Sequence, residues 1–466
     1  MRGLFHRPTS PSAIEGSRFN SKGDLCVKIA DMRLFIVILQ FLLLLSPMVV
    51  HGLTLDEAIQ KAIENLPEYR SRIFVKESQL YEYRATLSPY LPSLDLSLSQ
   101  RKFYVAPEDY DLKSLELRLS YTLYDGGKRY SQRLYQKSLF RVREEELNQS
   151  LLELEYNVKL AFYNVLARRD IVSERQNQLK YAEKDYEVAQ GRYELGVARL
   201  SDLLQAKVRL EEARLKLIEA EGEYRKALAE LGSVTGLTLT GDEIEGELTE
   251  IEYIPEKTHF LESAMSSPEI KKTEAQKGIS LSEKIAARSD LLPALYIDAT
   301  YTKNSTSASK VYPEEEKTIG LRLTLNIFEL KKFFKIKAAQ SSLMARQEEI
   351  AEVKRLLELK ITKAYEDLIT ETKRLNVAKE QLHFAEKNYE QAFGEYRVGK
   401  GDILSLIQAE QLLADAKERV VLSKLSIWNA LIALERAAGM GVRPASPDAL
   451  PSDSKFKLRG STNGAQ

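Results

Sequence analysis

The chain has 466 residues, of which 44% are hydrophobic and 29% are charged, so its length allows two or three globular domains without selecting a class. Lysine plus arginine and aspartate plus glutamate number 68 each, and the formal net charge is zero. This balance lacks the basic excess typical of nucleic-acid-binding proteins, and we expect no nucleic-acid partner.

The first recognisable element is an apolar run from Leu34 to Leu45, preceded by Arg33. The run is shorter than the roughly 20 apolar residues that a membrane-spanning helix needs. A Val-His-Gly sequence ending at Gly52 then supplies the small residue that signal peptidase requires before its cleavage site. These features predict a signal peptide over residues 32–52 in preference to a membrane anchor.

Residues 1–31 precede this signal without a pattern of their own and are interpreted as a leader extension, with Met1 and Met32 as alternative translation starts. The single cysteine, Cys26, lies in the leader. The exported chain would therefore contain no thiol, which suits an oxidising compartment.

Beyond Leu53 the sequence follows one plan twice, with short motifs that recur in the same order about 200 residues later. The recurring pairs are Asn65-Leu66-Pro67-Glu68 with Ser266-Ser267-Pro268-Glu269, Leu91-Pro92-Ser93-Leu94 with Leu292-Pro293-Ala294-Leu295, and Tyr181-Ala182-Glu183-Lys184 with Phe384-Ala385-Glu386-Lys387. We predict repeat 1 over residues 53–232, a linker over 233–257, repeat 2 over 258–440 and a disordered polar tail over 441–466.

Each repeat contains two stretches in which apolar and polar residues alternate, the pattern of a strand with two unlike faces. The apolar rows are Leu94, Leu96 and Leu98; Leu115, Leu117, Leu119, Tyr121 and Leu123; Leu295, Ile297, Ala299 and Tyr301; and Ile319, Leu321, Leu323, Leu325 and Ile327. We expect four strands of roughly ten residues, the length of a tilted membrane-spanning strand.

The alternation alone fits a soluble antiparallel sheet as well as a membrane barrel. Aromatic residues near the strand ends favour the barrel, because such residues form its interfacial girdles. They are Tyr90, Phe103, Tyr104, Tyr124, Tyr296, Tyr312, Phe328, Phe333 and Phe334. Four strands do not close a barrel, and open strand edges are not tolerated in lipid, so several chains must share one barrel.

A long segment without proline follows each pair of strands, and the first, from Lys128 to Leu195, would reach ~100 Å as one helix. Apolar residues recur along both segments with the heptad spacing of coiled coils. The heptad positions are Leu147, Leu151, Leu154, Val158, Ala161, Val165, Val172, Leu179, Ala182, Tyr186, Ala189 and Tyr193 in the first segment, and Ile350, Leu357, Ile361, Ala364, Leu368, Leu375, Ala378, Leu382, Ala385, Tyr389, Ala392 and Tyr396 in the second. An ordinary coiled-coil dimer also fits these positions, but it gives no reason for the paired strands.

Turns at Gly196 and Gly399 end the two long segments, and a returning helix follows each turn. The returning helices are predicted from about Leu200 to Leu231 and from Ile403 to Ala438, and the helices before the strands from about Pro67 to Leu87 and from Pro268 to Leu291.

The sequence contains no constellation that indicates catalysis or metal binding. The four histidines, His6, His51, His259 and His383, are scattered along the chain. Acidic runs such as Glu144-Glu145-Glu146 are interpreted as solvated helix faces. We therefore expect no enzymatic activity, no cofactor and no metal.

The order of these elements, together with four local motifs, resembles the TolC-like outer-membrane efflux protein family from about Leu53 to Gly441. The motifs are Leu53-Thr54-Leu55-Asp56-Glu57-Ala58, Asn65-Leu66-Pro67-Glu68, Leu123-Tyr124-Asp125-Gly126-Gly127 and Tyr193-Glu194-Leu195-Gly196. The resemblance implies a mainly α chain with a small β part, in which three chains join a twelve-stranded barrel to a twelve-helix tunnel.

The chain departs from the family pattern in two places. Glu329-Leu330-Lys331 stands where the first repeat has Asp125-Gly126-Gly127, so the glycine turn is not repeated. Family members often carry aspartates on the second returning helix that form a ring at the tunnel entrance, whereas Ser405 and Gln408 stand at the matching positions here.

Under this resemblance the glycine turns lie ~100 Å from the strands and would dock a periplasmic adaptor. The docking candidates are Gly196, Val197, Gly399 and Lys400.

A second group of residues is predicted to form a gate near these turns. The candidates are Asp202 and Gln205 in the first copy, and Asp402, Ser405 and Gln408 in the second. A spacing of three places Asp202 with Gln205, and Ser405 with Gln408, on one helix face each. Asp202 would accept hydrogen bonds from a neighbouring helix, or alternatively would cap the start of its own helix.

The predicted function is an outer-membrane channel of a tripartite efflux or type I secretion system, a passive exit duct whose helical part lies in the periplasm. The expected partners are two further copies of the chain, a periplasmic adaptor, an inner-membrane pump and outer-membrane lipid. The alternative is a periplasmic coiled-coil adaptor or scaffold. Adaptors usually combine one helical hairpin with compact β domains, so the duplicated hairpins favour the channel.

Overall fold

A computed structural model describes residues 52–104, 109–241, 244–251, 253–307 and 313–441. The predicted leader, the signal peptide up to His51 and the tail from residue 442 onward lie outside the described residues, as do Cys26 and Tyr312. The described residues from Leu53 onward belong to one unit, which is mainly helical with one four-stranded sheet. The predicted fold class is confirmed at the level of the single chain.

The elements follow one another in the same order in both halves of the chain. In chain order they are α1 (Leu55–Asn65), α2 (Pro67–Ala85), β1 (Ser93–Phe103), β2 (Tyr110–Tyr124), α3 (Lys128–Glu194), α4 (Leu200–Thr235), α5 (Lys257–Ala264), α6 (Pro268–Ser289), β3 (Ala294–Thr306), β4 (Glu315–Thr324), α7 (Leu330–Arg397) and α8 (Ile403–Ala437). The two long helices, the returning helices and the strand pairs all occur where the sequence predicts them.

The helices α1 and α5 are additions to the sequence prediction. A capping box starts α1, because the Thr54 hydroxyl accepts a hydrogen bond from the backbone N–H of Glu57 at 3.4 Å and the Glu57 carboxylate accepts one from the backbone N–H of Thr54 at 3.0 Å. Pro67 then stands in the first turn of α2, where a missing N–H costs nothing.

The returning helix α4 is longer than predicted and continues to Thr235. It ends at Gly236, whose φ of 69° is left-handed and suits the end of a helix. The residues from 233 to 235, which the sequence assigned to the linker, are therefore helical, and α5 begins at Lys257 within the same predicted linker.

The sheet is antiparallel and its strands follow chain order, so β2 and β3 join the two repeats. The register places Leu117 between Leu96 and Tyr301, while Arg118 lies between Asp95 and Thr300. Apolar and polar side chains thus form two separate rows across the sheet. β1 and β4 are the outer strands.

The alternating pattern of the fourth strand extends further in sequence than the strand itself. β4 ends at Thr324, which pairs with Ala294, the first residue of β3, so Leu325 and Ile327 have no residue opposite them. The chain then reaches α7 through extended residues, with Glu329 at φ −151°.

The corresponding turn in the first repeat needs glycine. Gly126 has φ 68°, and a Cβ at this position would lie 2.7 Å from the Leu292 Cβ. The Asp125 carboxylate accepts hydrogen bonds from the N–H groups of Gly127 at 3.1 Å and Arg129 at 2.8 Å, which orders the start of α3.

The long helices pack along the predicted heptad positions. Val158 and Val165 on α3, and Ile361 and Leu368 on α7, are fully buried. Tyr193 is the exception, since it lies in the last turn of α3 and remains 40% exposed. The helix α3 packs against α1, α2, α4, α6 and α8, whereas α7 packs mainly against α5, α6 and α8 and touches α3 through side chains near its C-terminal end.

Part of the segment between α4 and α5 is attached across the middle of the long helices. The Arg169 guanidinium on α3 donates to the carbonyl oxygens of Ile244 at 3.2 Å and Gly246 at 2.5 Å. The Trp428 indole on α8 donates to the Thr249 carbonyl at 2.9 Å and stacks on Tyr163 of α3. These contacts hold the first repeat against the second.

Candidate functional site

The docking candidates lie in two turns at one end of the long helices. We name residues 195–199, between α3 and α4, tip 1, and residues 398–402, between α7 and α8, tip 2. In tip 1, Gly196 has φ 70° and its N–H donates to the Tyr193 carbonyl at 2.9 Å, while Val197 donates to the Arg192 carbonyl at 2.9 Å. Both bonds satisfy carbonyl groups at the end of α3.

Tip 2 repeats this arrangement. Gly399 has φ 80° and donates to the Tyr396 carbonyl at 3.1 Å, and Lys400 donates to the Glu395 carbonyl at 2.9 Å. Val197 in tip 1 and Val398 in tip 2 are each 64% exposed. The tips therefore present matched apolar side chains beside glycines that end the helices.

Arg192 connects the two tips. Its Nη1 donates to the Tyr396 carbonyl near the end of α7, and the guanidinium carbon lies 4.8 Å from the centre of the Tyr396 ring. A cation at the C-terminal end of a helix also interacts favourably with the helix dipole. Arg192 was not predicted from the sequence, because a single arginine outside the apolar heptad positions resembles a solvent-exposed helix residue.

The first-copy gate candidates make local contacts within the chain. The Asp202 carboxylate accepts a hydrogen bond from the Arg199 N–H at 3.4 Å and one from the Ser201 hydroxyl at 3.2 Å. Asp202 thus lies in the first turn of α4, three residues after the N-cap Arg199, and its carboxylate binds the backbone N–H of that cap, while Gln205 is exposed.

The second-copy candidates are similar. Asp402 caps α8, because its carboxylate accepts from the Ser405 N–H at 2.7 Å and from the Ser405 hydroxyl at 3.2 Å. These bonds hold the pKa of the Asp402 carboxyl below its usual range. Gln408 is exposed. The structure brings Asp402 and Ser405 together. Within the chain, Asp402 caps α8 and Asp202 binds the backbone at the start of α4.

Between the tips and the middle of the helices lies a buried polar cluster that the sequence analysis did not identify. It comprises Asp185 of α3, Arg209 of α4, Tyr389 of α7 and Glu410 of α8. The Arg209 Nε donates to Glu410 Oε2 at 2.6 Å and its Nη2 donates to Glu410 Oε1 at 3.2 Å. Glu410 follows the core residue Ala409, whereas Asp185 follows the exposed Lys184, so only the packing of the four helices reveals that both acids are buried.

No group of three or more histidine, cysteine, aspartate or glutamate side chains is placed to hold a metal ion within the described parts of the chain. Among the described helices, none is both long enough and apolar enough to cross a membrane.

The sequence matches the family described as outer membrane efflux protein over residues 58–237 and 262–440, which correspond to the two repeats. The chain belongs to the outer membrane efflux protein family.

Relatives of known identity agree with this membership. The pyoverdine export outer membrane protein OpmQ of Pseudomonas aeruginosa is 24% identical over 412 residues, covering 83% of this chain and 85% of OpmQ. Protein CyaE of Bordetella pertussis is 25% identical over 412 residues, covering 83% of this chain and 84% of CyaE. The fold is similar to that of the outer membrane protein VceC of Vibrio cholerae, with a TM-score of 0.72 at 16% identity over 84% of this chain and 97% of VceC.

Membership in the outer membrane efflux protein family confirms the resemblance and the predicted function as an outer-membrane efflux channel. It also supports location in the outer membrane. The adaptor alternative is set aside, because both repeats match a family of outer-membrane efflux proteins rather than one hairpin flanked by other domains.

Proposed function

We propose that three copies of this chain form the exit duct of a tripartite efflux or type I secretion system, with the sheets in the outer membrane and the helices in the periplasm. The observation that carries the proposal is the open sheet. β1 and β4 each pair with a single strand in the described chain, and apolar residues on β4 such as Ile319 and Leu321 are 83% and 68% exposed. Lipid does not tolerate such edges, whereas pairing β4 of one copy with β1 of the next removes them.

The opposite face of the sheet suits a water-filled lumen. It carries ion pairs between Arg118 and Glu116 at 2.6 Å and between Arg322 and Asp298 at 2.7 Å. Polar residues that face inward and apolar residues that face lipid are the arrangement of outer-membrane barrels.

The helices also present apolar surface that neighbouring copies would cover. An exposed row on α4 consists of Leu204, Val208, Leu215 and Ile218, and on α7 Val377 and Phe384 are exposed. Their spacing places them along one side of each helix. A tunnel built from three copies would bury these rows between chains.

The tips would meet a periplasmic adaptor, which links the channel to an inner-membrane pump. Two observations support this contact. Each tip ends a helix of 67 or 68 residues, and each tip exposes a valine beside a glycine. The candidates for this contact are Gly196, Val197, Gly399 and Lys400. A photocrosslinking residue at position 197 or 400 should capture the adaptor, whereas capture only from positions beside the strands would reverse the orientation.

Asp202, Gln205, Asp402, Ser405 and Gln408 would close the channel at rest through contacts between copies that adaptor binding breaks. Within one chain Asp202 and Asp402 are bound to their own helix starts, and the exposed Gln205, Ser405 and Gln408 are accessible to a neighbouring copy.

Fractionation of cells tests the proposal as a whole. The chain should sit in the outer membrane as an oligomer that heating in detergent separates into single chains. A monomer released from the periplasm by osmotic shock would overturn it.

A further inference from the structure

The polar cluster formed by Asp185, Arg209, Tyr389 and Glu410 takes one side chain from each of α3, α4, α7 and α8, and it contains two hydrogen-bonded pairs, Arg209 with Glu410 and Tyr389 with Asp185. Glu410 is 1% exposed and Asp185 is 5% exposed, and Arg209 and Tyr389 are also buried. Small and apolar residues surround the cluster, including Ala182, Ala189, Ala206 and Leu210. Water therefore contributes little to the solvation of these charges.

The cluster contains one more carboxylate than it has guanidinium groups. Both oxygens of Glu410 are engaged by Arg209, and the remaining Nη1 of Arg209 donates to Glu212 at 3.3 Å. Asp185 keeps only the Tyr389 hydroxyl, which donates to its Oδ1 at 3.3 Å. An aspartate anion here would be buried beside a second anion with one neutral donor, an arrangement that favours its protonated form.

We propose that Asp185 is a binding site for one proton, and that its protonation tightens the packing of the α3–α4 hairpin against the α7–α8 hairpin.

The charged and titratable groups around Asp185, taken together with its burial, raise its pKa. Burial, and then the Glu410 carboxylate of α8, raise the pKa of Asp185 to about 7, against weaker opposite effects of Tyr389 on α7, Lys184 on α3 and Arg209 on α4. Tyr181 on α3 lies beside the Tyr389 ring, with ring centres 5.3 Å apart, and burial raises the pKa of Tyr396 on α7. Burial and Asp185 also raise the pKa of Tyr389, so this phenol remains a donor.

The sign of the pH effect follows from linkage. Because Asp185 has a higher pKa in the packed state than in the separated state, the packed state binds more protons between the two values. Packing of the hairpins is therefore strongest at acidic pH and weakens as pH rises through about 7. That acidic pH would favour the closed channel rests on the proposed function. The proton site at Asp185 does not depend on that function.

Infrared difference spectroscopy of the full-length protein in detergent, titrated from acidic to alkaline pH, tests the site directly. A carboxylic-acid C=O band should disappear with a midpoint near 7. The variant Asp185→Asn should lack this band, and Glu183→Gln, which changes an exposed acid on the same helix, should keep it. Tyr389→Phe should move the midpoint to higher pH, because the aspartate anion loses its donor. Absence of the band in the wild type, or its persistence in Asp185→Asn, would overturn the proposal.

Hydrogen exchange tests the packing. After correction for intrinsic rates, amides of α7 around Tyr389 should open about tenfold less often at pH 6 than at pH 8, the change that one proton with a midpoint near 7 produces. Asp185→Asn mimics the protonated side chain and should be equally protected at both pH values, whereas Glu183→Gln should behave as the wild type. Equal protection of the wild type at both pH values would overturn the coupling to hairpin packing.

Discussion

The helices α3 and α7 occupy equivalent places in the two repeats and have nearly the same length, 67 and 68 residues, yet they are buried to different extents. In the described chain α3 has sixteen buried residues, whereas α7 has seven. The heptad pattern is the same in both helices, so the difference comes from position. The helix α3 packs against helices of both repeats, whereas α7 packs mainly against helices of its own repeat. The comparison identifies α7 as the long helix with more surface left for a neighbouring copy in the proposed trimer.

The largest expected effect is a loss of stability at the fully buried positions that the two long helices share. Leu368 of α7 and Val165 of α3 are both fully buried. Leu368→Ala should reduce the free energy of unfolding by ~2–5 kcal/mol, because it leaves a cavity in the helix core. Chemical denaturation followed by circular dichroism measures the loss. Val377→Ala changes a side of α7 that is exposed within the chain and would be covered only by a neighbouring copy, so it is the matched control and should change the stability of the dissociated chain much less. Equal losses would mean that the open side of α7 is packed within the chain.

A second change tests the two faces of the sheet. Leu119→Arg and Leu323→Arg place a charge on the apolar row, at a cost of ~2–4 kcal/mol if that row faces lipid near the middle of the bilayer. The amount of oligomer in the outer membrane measures assembly, which both variants should impair. Thr318→Arg lies on the polar face of β4 and should assemble normally. Normal assembly of both leucine variants would show that the apolar row does not face lipid.

A third change compares the two strand-to-helix junctions. Gly126→Ala should destabilise the protein by ~1–3 kcal/mol, because the new Cβ would overlap Leu292 in addition to requiring a left-handed backbone. Gly127→Ala should be destabilised only by the left-handed backbone that the alanine must adopt, because nothing lies within 4 Å of its Cβ position. Thermal unfolding of the two variants measures the difference. If Gly127→Ala lowered the melting temperature more than Gly126→Ala, close packing against Leu292 would not explain the requirement for glycine at position 126.

The smallest expected effect concerns the tip. Asp202→Ala should raise the resting conductance of the purified channel in a planar bilayer if Asp202 also contacts a neighbouring copy. Helical content and oligomer stability should be unchanged, which circular dichroism and gel mobility check. Unchanged conductance with a less stable helix would leave Asp202 with the capping role alone.

Much of the fold could be predicted from sequence because its determinants are local and periodic. The row that contains Val158 and Val165 specifies a packed helix face, and the alternation around Leu117 specifies a strand with two faces. The short helix α5 was not predicted, because its eight residues give little room for a period to emerge.

The functional residues were harder to predict. Gly196 and Gly399 are visible in sequence because a helix that turns back needs a left-handed residue. Asp185 and Glu410 belong to different repeats, and in sequence each resembles an acid on a helix surface. Only the packing of four helices shows that both are buried around Arg209.

The central claim, that three chains share one barrel, is tested most directly by joining the two open edges. In a Cys26→Ser background, Leu98→Cys on β1 and Ile319→Cys on β4 place thiols on outer strands that are separated by two others. Because Ile319 aligns across the sheet with Leu94 and not with Leu98, the two positions lie roughly 20 Å apart in one flat sheet, too far for a disulfide within a chain. A short bis-maleimide applied to outer membranes should therefore link different copies and yield covalent species that end at three chains. Species that end at two chains, or linkage confined to single chains, would contradict the trimeric barrel.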